Sequence, residues 1–332
     1  MDWLAYLDEQ RHTAQYESLL LRTYNDHPAF GHARLSSFRR FLSLENPARE
    51  FVRWKNVLVV RADAIHAHAC ISVDSRDTGV AHVGFVDFDS GQSCERLFEA
   101  IDIAARDLGA HTLRGPINFN SWQEFRCITR DSGAPPFFLE PALHERSEIW
   151  RGHGFMPKVS YLSLGQSVQQ APFGDRETPG ITIERLTPSM AFQAVPGLHS
   201  VALDAFGSTW DFIPISLAEF SYLYQPALAQ SGTFLILVAR DEQQKIVGFF
   251  VGAPDVYDKG QKTLVLKSVA VLRSHKRQGV GTALFLAVHR FALAQGFDRY
   301  IYSTMQDENM AIQNLVGAGE FIRAYEVGEK AL

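Results

Sequence analysis

Cysteine is scarce: Cys70, Cys94 and Cys127 are the only three in 332 residues. An odd number at wide spacing argues against a disulfide framework or a zinc module, and it fits a reducing cytosol. Charge is also unremarkable. The 32 basic and 37 acidic residues are scattered, and the net charge of −5 offers no general nucleic-acid surface. Apolar runs are short, the stretch 234–239 being typical, and none is long enough to span a membrane. The opening Met1-Asp2-Trp3-Leu4 brings an acid and no basic leader region. A cytoplasmic protein without nucleic-acid or membrane partners is therefore expected. Two common phosphate signatures are missing as well. No G-x-x-x-x-G-K-[ST] occurs, and the G-x-G at 279–281 lacks the third glycine and the following strand acid of a dinucleotide fold.

What is present is an ordinary globular composition, 46% hydrophobic and 21% charged, on a length that suggests two domains. A linker is readable at 166–180, where Gln169-Gln170, Pro172, Gly174, Asp175 and Pro179 interrupt any apolar period. It sets expected domains of 1–165 and 181–332. The first opens with helical segments to about residue 41. Strands follow at 56–61, 67–73 and 80–88, then a helix over 93–108 with Ser93 as N-cap and Gly109 as stop, and strands at 112–117 and 159–164. The second repeats that order. It has a strand at 181–186, helices within 188–230, strands at 233–240, 246–252 and 263–272, a helix over 282–295, a strand at 300–304, a short helix from 308 and a strand near 322–327. Three meandering strands followed by strand, helix and strand imply a mixed α/β sheet flanked by helices in each half. The match of order suggests a divergent duplication.

The most informative segment is Gln278-Gly279-Val280-Gly281-Thr282, placed between an apolar strand and an amphipathic helix. Glycine lets a ligand approach the backbone, and a helix start presents unpaired N–H groups. Those groups, the helix dipole and the cations Lys276 and Arg277 favour a diphosphate. Elsewhere, His66, His68 and Cys70 share a strand face by alternation, but no fourth ligand is identifiable, so no metal is expected.

The run Val269-Ala270-Val271-Leu272, then Lys276-Arg277-Gln278-Gly279-Val280-Gly281, resembles the acyl-CoA motif of the GCN5-related N-acetyltransferase (GNAT) superfamily, R/Q-x-x-G-x-G/A after a strand. Lys276 keeps the charge of the first position without the arginine fork. Asp307-Glu308-Asn309 and Gly319-Glu320-Phe321 are similar to the family's C-terminal signature, in which an Asn contacts the pantetheine arm. The chain as a whole looks like the bacterial tandem members, with segments 113–118, 135–141 and 266–271 supporting the narrower match. The resemblance implies two tandem acetyltransferase-like domains, each a mostly antiparallel twisted sheet flanked by helices. It implies acetyl-CoA or another acyl-CoA as co-substrate, held by Val269, Ala270, Val271, Lys276, Arg277, Gln278, Gly279, Val280, Gly281, Thr282 and Asn309. In the first half, residues 84–91 lack the cation–glycine loop, and Asp87 and Asp89 would repel a diphosphate.

In this superfamily, backbone N–H groups at a splayed strand end stabilise the thioester oxygen. Val271 is the matching donor. Proton handling is less marked. Leu315 and Val316 occupy the zone of the usual Tyr, and the place of the usual strand Glu is nearest Lys267. A period of two puts Lys267 on one face with Val265, Val269 and Val271. Desolvation on such a face lowers a lysine pKa. The candidates for acid or base are Lys267, Asp255, Tyr302 and Ser303, with ordered water as a substitute. The implied activity is N-acyl transfer to an amine of a small molecule or peptide. A catalytically silent acyl-CoA-binding or sensing protein, and an acyltransferase fed by a carrier-protein thioester, are the alternatives. Monomer and homodimer both remain open.

Overall fold

The computed structural model describes residues 4–8, 13–140, 146–171, 178–229, 233–258, 260–306 and 319–332. The chain forms two compact units. Unit 1 holds Met1–Thr129, Pro141–Val159 and Glu326–Leu332; unit 2 holds Arg130–Glu140 and Ser160–Tyr325.

Through unit 1 the elements are β1 (Leu4–Asp8), α1 (Thr13–Thr23), α2 (Pro28–Leu42), β2 (Val52–Arg61), β3 (Ala64–Asp74), β4 (Val80–Phe88), α3 (Gly91–Asp107) and β5 (Thr112–Gly115). β6 (Cys127–Asp131), α4 (Ser147–Gly152) and β7 (Met156–Ser167) follow. The order β1-β2-β3-β4 is antiparallel, β4-β5 parallel, and β5 pairs antiparallel with Gly328–Ala331 at the chain's end. Both sheet faces are covered, so residues of β3 and β4 are buried on either side, polar ones such as His68, His82 and Asp87 included. Val57, Val59, Ala69 and Ile71 pack with Leu97 and Ile101 of α3. Leu58, Ile65, Cys70 and Phe85 pack with Tyr16 and Leu19 of α1 and Phe38 of α2.

Unit 2 repeats the pattern. β8 (Thr182–Arg185), α5 (Pro188–Phe206), α6 (Leu217–Ala229), β9 (Leu235–Arg240), β10 (Ile246–Pro254), β11 (Thr263–Val271), α7 (Val280–Ala294), β12 (Arg299–Gln306) and β13 (Glu320–Ala331) follow in order. Here β8-β9-β10-β11 is antiparallel, β11-β12 parallel, and β12 pairs antiparallel with β7, from Arg299↔Ser167 to Gln306↔Tyr161. In each unit the sixth strand comes from a distant part of the sequence. Among the described residues no helix is long and apolar enough to cross a membrane.

Two local expectations shift. Leu4–Asp8 pairs as β1 against β2 instead of forming helix. α3 begins earlier than residue 93 because Ser90, not Ser93, caps it. The Ser93 N–H donates to Ser90 Oγ at 3.3 Å, and Ser93 Oγ accepts from the Ser90 N–H at 3.2 Å, a reciprocal capping box. The helix expected from Glu308 lies outside the described residues.

Candidate functional site

The glycine loop links β11 to α7 in unit 2. After Val271 the chain makes one tight turn, Arg273–His275, and then passes Arg277 at φ +63° and Gly279 at φ +84°. Both are left-handed conformations, which glycine adopts without strain and arginine does not. The Gln278 side chain ties the loop back, its Nε2 donating to Ser274 O at 2.8 Å. Gly279 is the α7 N-cap and brings no capping side chain. The first backbone bond of the helix is from the Ala283 N–H to Gly279 O, 2.9 Å. The N–H groups of Val280, Gly281 and Thr282 precede it and have no intrahelical acceptor. Lys276, Arg277, Gln278 and Thr282 are exposed around them. Among the described residues, a Cβ at Gly281 would have Val271 Cγ2 as its nearest contact, at 4.0 Å, so the loop is open there. At Gly279 a Cβ would lie 2.9 Å from Thr178 Oγ1. This is a positive helix start without a capping side chain of its own, crowded by Thr178 at Gly279 and open at Gly281 among the described residues, and it suits a diphosphate.

Beside the loop, a cleft opens between two strands. β11 and β12 pair from Thr263↔Arg299 only to Leu266↔Tyr302, although both strands continue beyond that point. Each strand is distorted there. On β11, Gly252 faces Leu266 and Val251 faces Ser268, leaving Lys267 as an extra, bulged residue. On β12 the register against β7 jumps between Tyr302 and Met305, and Thr304 takes φ +52°. Bulges of this kind bend a strand away from its neighbour. The Leu272 N–H donates to Val247 O at 2.9 Å, so Gly248↔Val271 is a pair without mutual hydrogen bonds. By alternation, the N–H groups of Val271 and Val269 turn away from β10, toward the side β12 has left.

The bulge also corrects the sequence reading of β11. Lys267, Val269 and Val271 do not share a face. Val271 stands opposite Gly248, whose added Cβ would touch Val280 and Leu284 of α7 at 3.1 and 3.4 Å. Lys267 reaches elsewhere, its Nζ donating to Leu139 O at 3.1 Å.

Most proton-handling candidates are engaged within unit 2. Asp255 Oδ1 accepts the N–H groups of Phe138 at 2.9 Å and Tyr257 at 3.1 Å. Burial raises its carboxyl above the usual range while those bonds oppose the rise. The Tyr302 hydroxyl donates to Gln166 Oε1 at 3.0 Å, and burial pushes the phenol well above its ordinary value. Ser303 is 4% exposed, and its Oγ has no partner among the described residues. Asn309 lies outside the described residues.

Sequence reasoning missed what Arg130–Glu140 does. Leu139 receives Lys267, Phe138 donates to Asp255, and Phe137 packs with Val265, Ile301 and Ile322. The segment is anchored by Glu140, whose Oε1 accepts from Arg323 at 2.6 Å and from the Tyr325 hydroxyl at 2.7 Å. Burial raises the Glu140 carboxyl, and Arg323 opposes the rise. Pro135-Pro136 signals a stiff loop, but no local pattern says which strands it will cover.

The same place in unit 1 is closed. β4 and β5 also part early, pairing only from Val80↔Thr112 to His82↔Arg114. The protein's own chain fills the gap. The Ile117 N–H donates to Val83 O and the Phe85 N–H to Asn118 Oδ1, both at 2.8 Å. Gly84 is required there, since a Cβ would sit 2.4 Å from Ile117 O and 2.6 Å from Asn118 Cα. The start of α3 is occupied by its Ser90–Ser93 box. Asp87 is not an open charge: it is fully buried, accepting from Arg34 Nε at 2.8 Å and the Tyr16 hydroxyl at 2.6 Å. His66 and His68 take separate partners, Asp89 Oδ2 at 2.8 Å and Phe85 O at 3.0 Å, and Cys70 sits in the core beside α1 and α2.

Residues 197–316 match the acetyltransferase (GNAT) family. This segment is a GNAT domain. The fold of the whole chain is that of tandem GNAT proteins. A tandem GNAT protein from the clavulanic acid biosynthesis pathway superposes with a TM-score of 0.64 at 11% identity, covering 99% of this chain and 98% of that one. A GCN5-related N-acetyltransferase from Sphaerobacter thermophilus gives 0.57 at 16% identity, with 99% and 95% covered. A probable N-acyltransferase from Enterococcus faecalis V583 gives 0.63 at 10% identity, with 100% and 73% covered. No curated protein matches the chain by sequence.

Proposed function

We propose that this tandem GNAT protein is an acyl-CoA-dependent N-acyltransferase, with acetyl-CoA as donor and an amine of a small molecule or peptide as acceptor. One observation carries the reading. In unit 2 a helix start without a capping side chain of its own, ringed by Lys276 and Arg277, adjoins a cleft whose β11 wall presents the N–H groups of Val269 and Val271. The loop would hold the diphosphate through the N–H groups of Val280, Gly281 and Thr282. The Val271 N–H would face the carbonyl oxygen as negative charge develops on it. The bound carrier supplies an activated acyl group; the chain supplies position, an oxyanion donor and exclusion of water. Unit 1 would serve no such role, because Ile117 and Asn118 occupy the corresponding gap.

A silent acyl-CoA-binding role is the second reading. It draws on the engaged state of Asp255, Lys267 and Tyr302. Thiol release from acetyl-CoA across an amine panel separates the two. Steady turnover with any amine removes the silent role, and saturable CoA binding without turnover removes the transferase. Gly279→Glu tests the site under either reading. It adds a like charge where the diphosphate would lie, on a residue that needs φ +84°. Calorimetry with CoA should show binding weakened at least about 100-fold, the effect of about 2.7 kcal/mol; wild-type affinity would place the ligand elsewhere.

A further inference from the structure

α7 closes one face of the unit 2 sheet beside the cleft. A Cβ on Gly248 would meet Val280 of α7 at 3.1 Å, and the rings of Phe250 and Phe285 lie 6.3 Å apart. An acceptor amine therefore has to approach β11 from the opposite face. Strand alternation sets Val265 and Lys267 there, and Val265 packs with Phe137. Over that face runs the turn 137–140, closed by the Glu140 N–H donating to Phe137 O at 3.2 Å. Its third residue, Leu139, takes φ +68°, a conformation that leucine holds only under constraint. Lys267 Nζ supplies part of that constraint through Leu139 O.

The second residue of the turn is Phe138. Its half-buried ring stands 6.0 Å from that of Phe234 and 5.9 Å from that of Tyr257, edge-on to the latter. Its N–H donates to Asp255 Oδ1, which fixes the turn to the end of β10. Beside Tyr257, Val256 is 53% exposed, so the rings border an open apolar surface. Charge is arranged differently. Asp255 Oδ1 already holds two N–H groups, and Glu140 Oε1 holds Arg323 and Tyr325. At the bulge itself stands a lysine. A polycation would meet a like charge there and carboxylates already engaged. An apolar body would meet three rings.

We propose that the acceptor is a primary amine on an aryl or alkyl body, which packs against Phe138, Phe234 and Tyr257 while the amino group reaches the bulge at Lys267. The proposal rests on the acyl-CoA reading above and names the acceptor class for it. Phe138 and Leu139 are consecutive, and Leu139 O is 3.1 Å from Lys267 Nζ, so a short alkyl spacer joins the two ends. In the transfer a C–N bond forms between the amine and the acyl carbon, the C–S bond breaks, and its electron pair leaves on sulfur. The nitrogen releases a proton to water, and the thiolate takes one from water. The rings take no part in these steps; they hold the body and so place the amine.

Thiol release from acetyl-CoA is followed with 4-phenylbutylamine, hexylamine and the polyamine spermidine, on the wild type, Phe138→Ala and Phe138→Leu. The expected kcat/KM is at least about tenfold higher for 4-phenylbutylamine than for spermidine. Phe138→Ala should raise KM for 4-phenylbutylamine about tenfold while kcat and CoA affinity hold, and Phe138→Leu should restore most of the loss. The ring is half-buried, and a thermal midpoint checks that the fold survives its removal. Preference for spermidine, or a Phe138→Ala change in kcat in place of KM, would overturn the acceptor class. Turnover of other amines and none of these three would overturn it as well. Saturable CoA binding without turnover of any amine would instead remove the transferase reading itself.

Discussion

His68 shows how one buried side chain imposes a pH dependence on unit 1. Its ring stacks on Tyr16 with centroids 4.0 Å apart, and Nδ1 bonds Phe85 O. Burial lowers its pKa from 6.5 to about 4; the Phe85 bond and Asp87 oppose the fall, and Arg34 adds to it. The unfolded chain therefore binds the extra proton between pH 6.5 and 4 while the folded chain does not. Stability from this group is complete above about pH 6.5 and is lost as the pH falls toward 4. The loss is on the order of 3 kcal/mol. Urea midpoints across that window should fall more steeply for the wild type than for His68→Gln. Parallel slopes would mean that another group carries the acid sensitivity. A sequence shows the histidine but not its burial, which depends on Tyr16 and Phe38 arriving from helices far along the chain.

At the scale of elements, the two splayed strand pairs differ in what fills them, and a pair of glycines reports the difference. Gly84→Ala would push a Cβ into Ile117 O and Asn118, both part of the plug. It should cost about 3 kcal/mol in chemical denaturation, as overpacking against backbone does. Among the described residues Gly281→Ala meets nothing nearer than Val271 at 4.0 Å. It should leave stability the same or slightly higher, since alanine favours the helix, while weakening CoA through the methyl set over the loop. A stability loss of the same size at both positions would mean that the unit 2 cleft is also plugged. The sequence made the strand–glycine–helix element legible, because a helix start and a glycine turn are local signals. It could not reveal the bulge at Lys267. A single extra residue breaks the alternation that grouped Lys267 with Val269 and Val271, and it arises from the pairing of β11 with β10. The engagement of Lys267 by Leu139, 128 residues away, was equally hidden.

For the molecule as a whole, each unit is completed by chain from elsewhere in the sequence. Unit 2 takes Arg130–Glu140 and the part of β7 from Ser160, and unit 1 takes Glu326–Leu332. Such pairings close long loops and fold slowly. They also bear on how far residues 181–332 act alone. That fragment would lack the partner of β12 in β7 and would leave Arg323, 3% exposed, without Glu140. A buried charge stripped of its partner costs about 3–5 kcal/mol, enough to unfold a marginal domain. Expressed alone, 181–332 should show no cooperative thermal transition and no saturable CoA binding. Coexpression with 1–180 should restore both, because the missing strand and segment lie there. A fragment that bound CoA with full affinity would show that β12 and Arg323 tolerate the loss, and that the open cleft depends on β10, β11 and α7 alone.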